Sequence, residues 1–225
     1  MRPNGTTRKI RTAAARAGRS AFVTCFAVAA ITACSHNSTA AKSTPTTTAS
    51  GADALIISVE EVRRIANYDE LTSHEHSDLR HPPQGDMNAP GPCRAAGTSD
   101  LTFASGWLEF RSAGYSGVTD DLRPGGPAMI DSVSQAVAIY PDAHTARQAL
   151  DQLESSLNAC MALHDPNYDF TLDKPDASTL RITDDGWSHL YRAKNAVLMS
   201  VGVLGIEPAE RIATNVIQTI SDRVK

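Results

Sequence analysis

The chain has 225 residues, with 21 Lys and Arg against 25 Asp and Glu, for a formal charge of −4. Residues 1–33 hold six basic residues (Arg2, Arg8, Lys9, Arg11, Arg16, Arg19) and no acid, so the remainder has 15 basic against 25 acidic residues, or −10. A domain of that charge has little attraction for nucleic acid or anionic lipid headgroups, which excludes binding to either by electrostatics alone.

Residues 21–33 (AFVTCFAVAAITA) carry no charge and follow the basic stretch. A basic start, a short apolar run and a small residue at its end describe a secretory signal. Thirteen residues fall short of the roughly 20 that span a bilayer as a helix. The run closes on Ile31-Thr32-Ala33-Cys34. This tetrad resembles the lipobox of bacterial lipoproteins. The resemblance implies that residues 1–33 are a signal peptide that is removed, and that the Cys34 sulfur is alkylated with a diacylglycerol. Cys34 then becomes the new N-terminus, carried at the extracytoplasmic face of the cell membrane by its acyl chains, palmitate among them. Two such chains suffice for stable anchoring. An ordinary signal peptide with an incidental cysteine is the alternative. Cys25 leaves with the peptide on either reading.

Residues 34–51 read as the lipidated cysteine and a tether. Of the 17 residues after Cys34, nine are Ser or Thr and none is large and apolar. Such a segment cannot bury enough surface to offset its ordering entropy. Fully extended, it reaches roughly 60 Å.

Residues 52–225 fit one domain with a core of its own. Ser58 and Glu61 form a capping box, with Ile57 and Val62 placed as a hydrophobic staple, so a short helix is predicted over 59–67. Asp142 can cap a second, longer helix. Its Ala146, Leu150, Leu153, Leu157, Cys160 and Met161 recur at three and four residues and make one buried stripe, which Pro166 stops. A third helix starts near Pro208, with Ile212, Val216, Ile220 and Val224 at every fourth position.

Strands are predicted between the helices. Val133, Val137 and Ile139 share a face. Tyr168, Phe170 and Leu172 alternate, as do Leu180 and Ile182, and then Trp187, His189 and Tyr191. Residues 196–204 are apolar on both faces and read as a central strand. Asp185-Gly186 and Lys194-Asn195 are short turns between strands. The whole predicts an α+β fold, with a C-terminal antiparallel meander packed against the long central helix and the C-terminal helix. Residues 72–131, rich in Pro and Gly, show no clear period beyond a hint at 115–118.

After processing, Cys93 and Cys160 remain. In an oxidising compartment an even pair reads as a disulfide, and two free buried thiols are the alternative. Here the order of parts becomes informative. A capped helix is followed by Pro-Gly-Pro-Cys-Arg-Ala-Ala at 90–96 and a strand at 133–140. Tyr-Pro-Asp-Ala-His-Thr-Ala at 140–146 then leads into a helix ending in cysteine and a meander containing Trp187. This pattern, over residues 52–225, resembles the PknH-like extracellular domain. That domain is the outer sensor of mycobacterial receptor Ser/Thr kinases and also occurs in stand-alone lipoproteins. The resemblance implies an α+β fold with a cleft for an unidentified ligand. The kinase sensors use two disulfides, whereas this chain offers one pair.

No enzymatic chemistry is expected. The chain has no Gly-x-Ser-x-Gly, no well-placed Ser-x-x-Lys and no glycine-rich phosphate loop after a strand. His74-Glu75-His76 with His81 match no metal-ligand spacing, and no cofactor is expected. Trp187, His189 and Tyr191 form the most binding-like group, as an aromatic–His–aromatic ladder that lines a cleft or, more simply, a core face. Trp107 is a further candidate, as a lid or a local core. Two functions follow. One is a non-enzymatic sensor lipoprotein holding a small or lipid-like ligand in a cleft. The other is an adaptor or decoy that binds another envelope protein. A cavity of several hundred cubic ångströms with mixed lining marks the first, and a flat apolar patch marks the second.

Overall fold

The computed structural model describes residues 51–118 and 130–225. The expected signal peptide (1–33), Cys34 and all of the expected tether except Gly51 lie outside them. In chain order the elements are α1 (Ala52–Leu55), α2 (Val59–Ala66), β1 (Thr72–Ser73), α3 (Asp100–Phe103), β2 (Glu109–Val118) and β3 (Ile130–Ile139). There follow α4 (Ala143–Met161), β4 (Thr171–Asp176), β5 (Thr179–Asp184), β6 (Trp187–Lys194), β7 (Val197–Leu204) and α5 (Ala209–Arg223). Two 3₁₀ turns, Glu75–Ser77 and Gly91–Ala95, interrupt the Pro-rich region.

The strands form one antiparallel sheet in the order β1-β2-β3-β7-β6-β5-β4. The predicted meander is β4 to β7. The sheet extends past it because β3 pairs with β7, which adds the β2–β3 ladder to the inner edge. One correction concerns β4. Tyr168 and Phe170 precede the strand, which begins at Thr171 and carries a register shift between Asp173 and Asp176. Pro175 donates no ladder hydrogen bond and sits on this edge strand, where a proline is tolerated.

Helices cover both faces. α1, α2 and α5 pack Leu55, Val62, Ile212, Val216 and Ile220 on Val133, Val137, Met199, Val201 and Val203. α4 sets Leu150, Leu153 and Leu157 on Ala136, Ala138, Leu180, Ile182, Tyr191 and Leu198. β7 is therefore buried from Val197 to Val203, as its two-sided apolar run predicts. The capping box of Ser58 and Glu61 forms. Asp142 caps α4 by accepting from the Thr145 amide at 2.8 Å. The side chain of Gln135 accepts from the Ile57 amide at 3.0 Å and donates to the Ile57 carbonyl at 2.7 Å. That pair locks the entry to α2 onto the sheet.

The two ends of the sheet differ. The chain enters beside the start of β2, where the Ala52 amide donates to Glu109 at 2.8 Å. Glu109 pairs with Ile139, and Ile139 with Val197. Trp187 and Leu204, which pair with each other, close the opposite end.

Candidate functional site

The site forms at that far end. Asp185-Gly186 makes the predicted β5–β6 turn, with Gly186 at φ 68 and its carbonyl accepting from the Gly205 amide at 3.0 Å. A positive φ favours glycine at this position. The turn leaves Asp184 and Asp185 exposed at one rim. Strand alternation puts Trp187, His189 and Tyr191 on the face covered by α4.

Between this turn and the loop after α4 lies a cavity of about 410 Å³. Asn167, Tyr168, Asp169 and Phe170 form the loop wall. Asp184, Asp185, Trp187 and Leu204 form the sheet wall, and Ala96 closes a third side. Trp187 is half-buried, and Leu204 is 45% exposed although it is large and apolar. The volume and mixed lining are those of a small-molecule site.

The disulfide supports this wall. Cys93 and Cys160 are bonded, with Cα atoms 4.7 Å apart, which ties the Gly91–Ala95 turn to the end of α4. Ala96 follows directly. Tyr191 holds the next residue, its hydroxyl accepting from the Gly97 amide at 2.7 Å.

The three ladder residues have different positions. Trp187 lines the cavity. His189 and Tyr191 lie beneath it, 3% and 0% exposed, so neither is free to touch a ligand in this state. They stack with centroids 4.7 Å apart, and the Trp187 ring meets His189 edge-on at 6.0 Å. His189 Nε2 lies 2.7 Å from Ser200 Oγ, which lies 3.0 Å from Thr98 Oγ1. Burial depresses the His189 pKa to about 3, so the ring is neutral. Burial also raises the Tyr191 hydroxyl well above its ordinary range. Trp107 does not reach this cavity. It packs on Phe110, 6.1 Å between centroids, as part of a local core.

Thr98 leads to a second cavity of about 170 Å³, with Ser112 and Ser134 on its floor and His76 and Ser77 above. A third of about 230 Å³ shares Ser77 and Ser134 and adds Gly114, Ser116 and Ser132. Small side chains on β2 and β3 let the Glu75–Ser77 turn press close. A Cβ at Gly114 would lie 2.5 Å from Ser77 Oγ. The His74 and His76 rings stand 5.7 Å apart, edge to face. Among the described residues no three His, Cys, Asp or Glu side chains converge as a metal site. His144 lies in the first turn of α4 and His164 beyond its far end, so the two do not meet.

The loop wall escaped sequence reasoning. Asn167 and Asp169 flank an aromatic that the alternation assigned to a strand. Ala96 and Leu204 carry no chemical signal of their own. Trp187 and the Asp185-Gly186 turn carry a signal in the sequence, but the wall across the cavity from them does not.

The comparisons agree with this architecture. No curated protein matches the chain. The extracellular domain of PknH from Mycobacterium tuberculosis is a similar solved structure, with a TM-score of 0.56 at 16% identity. The likeness covers 76% of this chain and 95% of that one, and at this identity it is a likeness of fold. The family model described as PknH-like extracellular domain matches residues 47–223. The chain therefore belongs to the PknH-like extracellular domain family.

Proposed function

We propose that the protein is an envelope-anchored, non-enzymatic sensor lipoprotein that holds a small or lipid-like ligand in the Trp187 cavity. The observation that carries this reading is the 410 Å³ cavity, whose wall combines half-exposed aromatic surface with polar side chains. Membership in an extracellular domain family supports the compartment, and the lipobox-like Ile31-Thr32-Ala33-Cys34 supports the anchor. Among the described residues no helix is long and apolar enough to cross a membrane. The assignment of the attachment to acyl chains on Cys34 rests on the lipobox-like tetrad.

Gly51 joins the domain at the Glu109–Ile139 end of the sheet, and the cavity opens at the Trp187–Leu204 end. The two ends are separated by the length of β7, roughly 23 Å at about 3.3 Å per residue. The adaptor or decoy reading draws on no comparable feature.

Stabilisation by extracted material tests the proposal. The purified chain is mixed with fractions of its own envelope extract, and unfolding is followed in denaturant. A ligand that binds only the folded state raises stability by RT ln(1 + [L]/Kd). At least one fraction should raise the midpoint for the wild type but not for Trp187→Ala or Asp185→Asn. If no fraction shifts the wild type, or all variants shift alike, the cavity is not the binding site.

A further inference from the structure

We propose that the Trp187 cavity selects an organic cation, an amine or quaternary ammonium group attached to an apolar body. This deepens the binding reading above and rests on it. Every charged residue lining the cavity is a carboxylate: Asp169, Asp184 and Asp185. No Lys, Arg or His lines it. Among the described residues these three acids join no ion pair. Negative charge also surrounds the rim. Tyr168 is held above its ordinary pKa by burial first, and then by the charges of Asp86 and Asp165.

Unneutralised carboxylates at a concave, partly apolar wall focus their field into the cavity and concentrate cations there. The aromatic faces act in the same sense. Trp187 and Tyr168 both line the cavity, and the negative π face of an indole or phenol attracts a cation within about 6 Å of the ring centre. An anion meets repulsion from both kinds of group. A bare metal ion fits poorly, because no three His, Cys, Asp or Glu side chains converge among the described residues. The 45% exposed Leu204 calls for an apolar portion beside the charged head. A neutral sugar could stack on Trp187, but it would leave the carboxylates uncompensated.

Trp187 is the reporter. The chain has two tryptophans, and Trp107→Phe leaves Trp187 alone. The full-length chain carrying that substitution, in a polyoxyethylene detergent, is titrated with three probes of like shape at constant ionic strength: benzyltrimethylammonium, benzyl alcohol and benzoate. Glucose is the sugar control. The cation alone should give a saturable change in Trp187 fluorescence. Asp184→Asn with Asp185→Asn should weaken it about tenfold, the size expected from losing a charge pair beside an aromatic cage. The unfolding midpoint of that variant should stay unchanged, which separates lost binding from lost fold. An equal response to benzyl alcohol, benzoate or glucose, insensitivity to the asparagine pair, or no response to the cation overturns the assignment. A neutral or anionic compound found in the cavity also overturns it, yet leaves the binding reading standing.

Discussion

His189 should make the domain's stability depend on pH in a window of its own. The ring is 3% exposed, stacked on Tyr191 and bonded to Ser200, and burial lowers its pKa from 6.5 to about 3. On acidification the unfolded chain takes up a proton at His189 as pH falls through 6.5, while the folded chain does not until about 3. The unfolded state thus binds more protons between those values, and stability falls as pH falls. The stabilisation from neutral His189 is fully present above 6.5. At about pH 5 the loss is about 1.5 units at about 1.36 kcal/mol each, or about 2 kcal/mol. A folded pKa one unit higher leaves that figure nearly unchanged. Carboxylates act lower down. Asp53, Glu61, Asp142 and Asp176 are held below their ordinary values of 3.8 or 4.5, so their contributions are lost mainly below that range. Urea unfolding of the wild type and His189→Gln, each at about pH 7.5 and about pH 5, checks the reasoning. The wild type should lose about 2 kcal/mol and the glutamine variant should show little change. An equal loss in both would place the titrating group elsewhere.

Three other perturbations have defined outcomes. Cys93→Ser with Cys160→Ser opens a bond closing a 67-residue separation, and chain entropy sets the cost at about 4 kcal/mol, read as a lower denaturant midpoint. An unchanged midpoint would mean the bond does not constrain the unfolded chain. Gly202→Ala would place a Cβ 2.6 Å from His189 Nδ1 and 2.8 Å from Ser134 Oγ, so it should cost about 1–3 kcal/mol by thermal melt. Wild-type stability in that variant would show that the ring moves freely. Cys34→Ala should leave the precursor uncleaved or release the domain with its fold intact. Processed protein still firmly on the membrane would contradict acyl anchoring.

α2, α4 and α5 were legible because their signals are local, whereas the four-residue α1 and α3 were not predicted. Ser58 and Glu61 sit three residues apart, and the apolar stripe of α4 repeats within each turn. The two-sided apolar run of β7 likewise declared its central position. β2 was not legible. Its sequence EFRSAGYSGV offers Ser112, Gly114, Ser116 and Gly117 where a strand usually alternates large apolar residues, and its identity comes from pairing with β3. The site was half legible for the same reason. Trp187 stands out by type, but His189 and Tyr191 share its face and differ only in what covers them. That cover, Gly97–Thr98 and the end of α4, is set by long-range contacts. The opposite wall at 167–170 was placed in a strand because Tyr168 and Phe170 alternate. In the fold they turn toward Asp184 and Asp185 before β4 starts.

Native mass spectrometry of the mature protein, extracted from its own envelope, tests the central claim most directly. The account predicts the protein mass plus one discrete small molecule that is absent from Trp187→Ala. A wild-type spectrum identical to that of the variant, with the cavity empty in both, would contradict it.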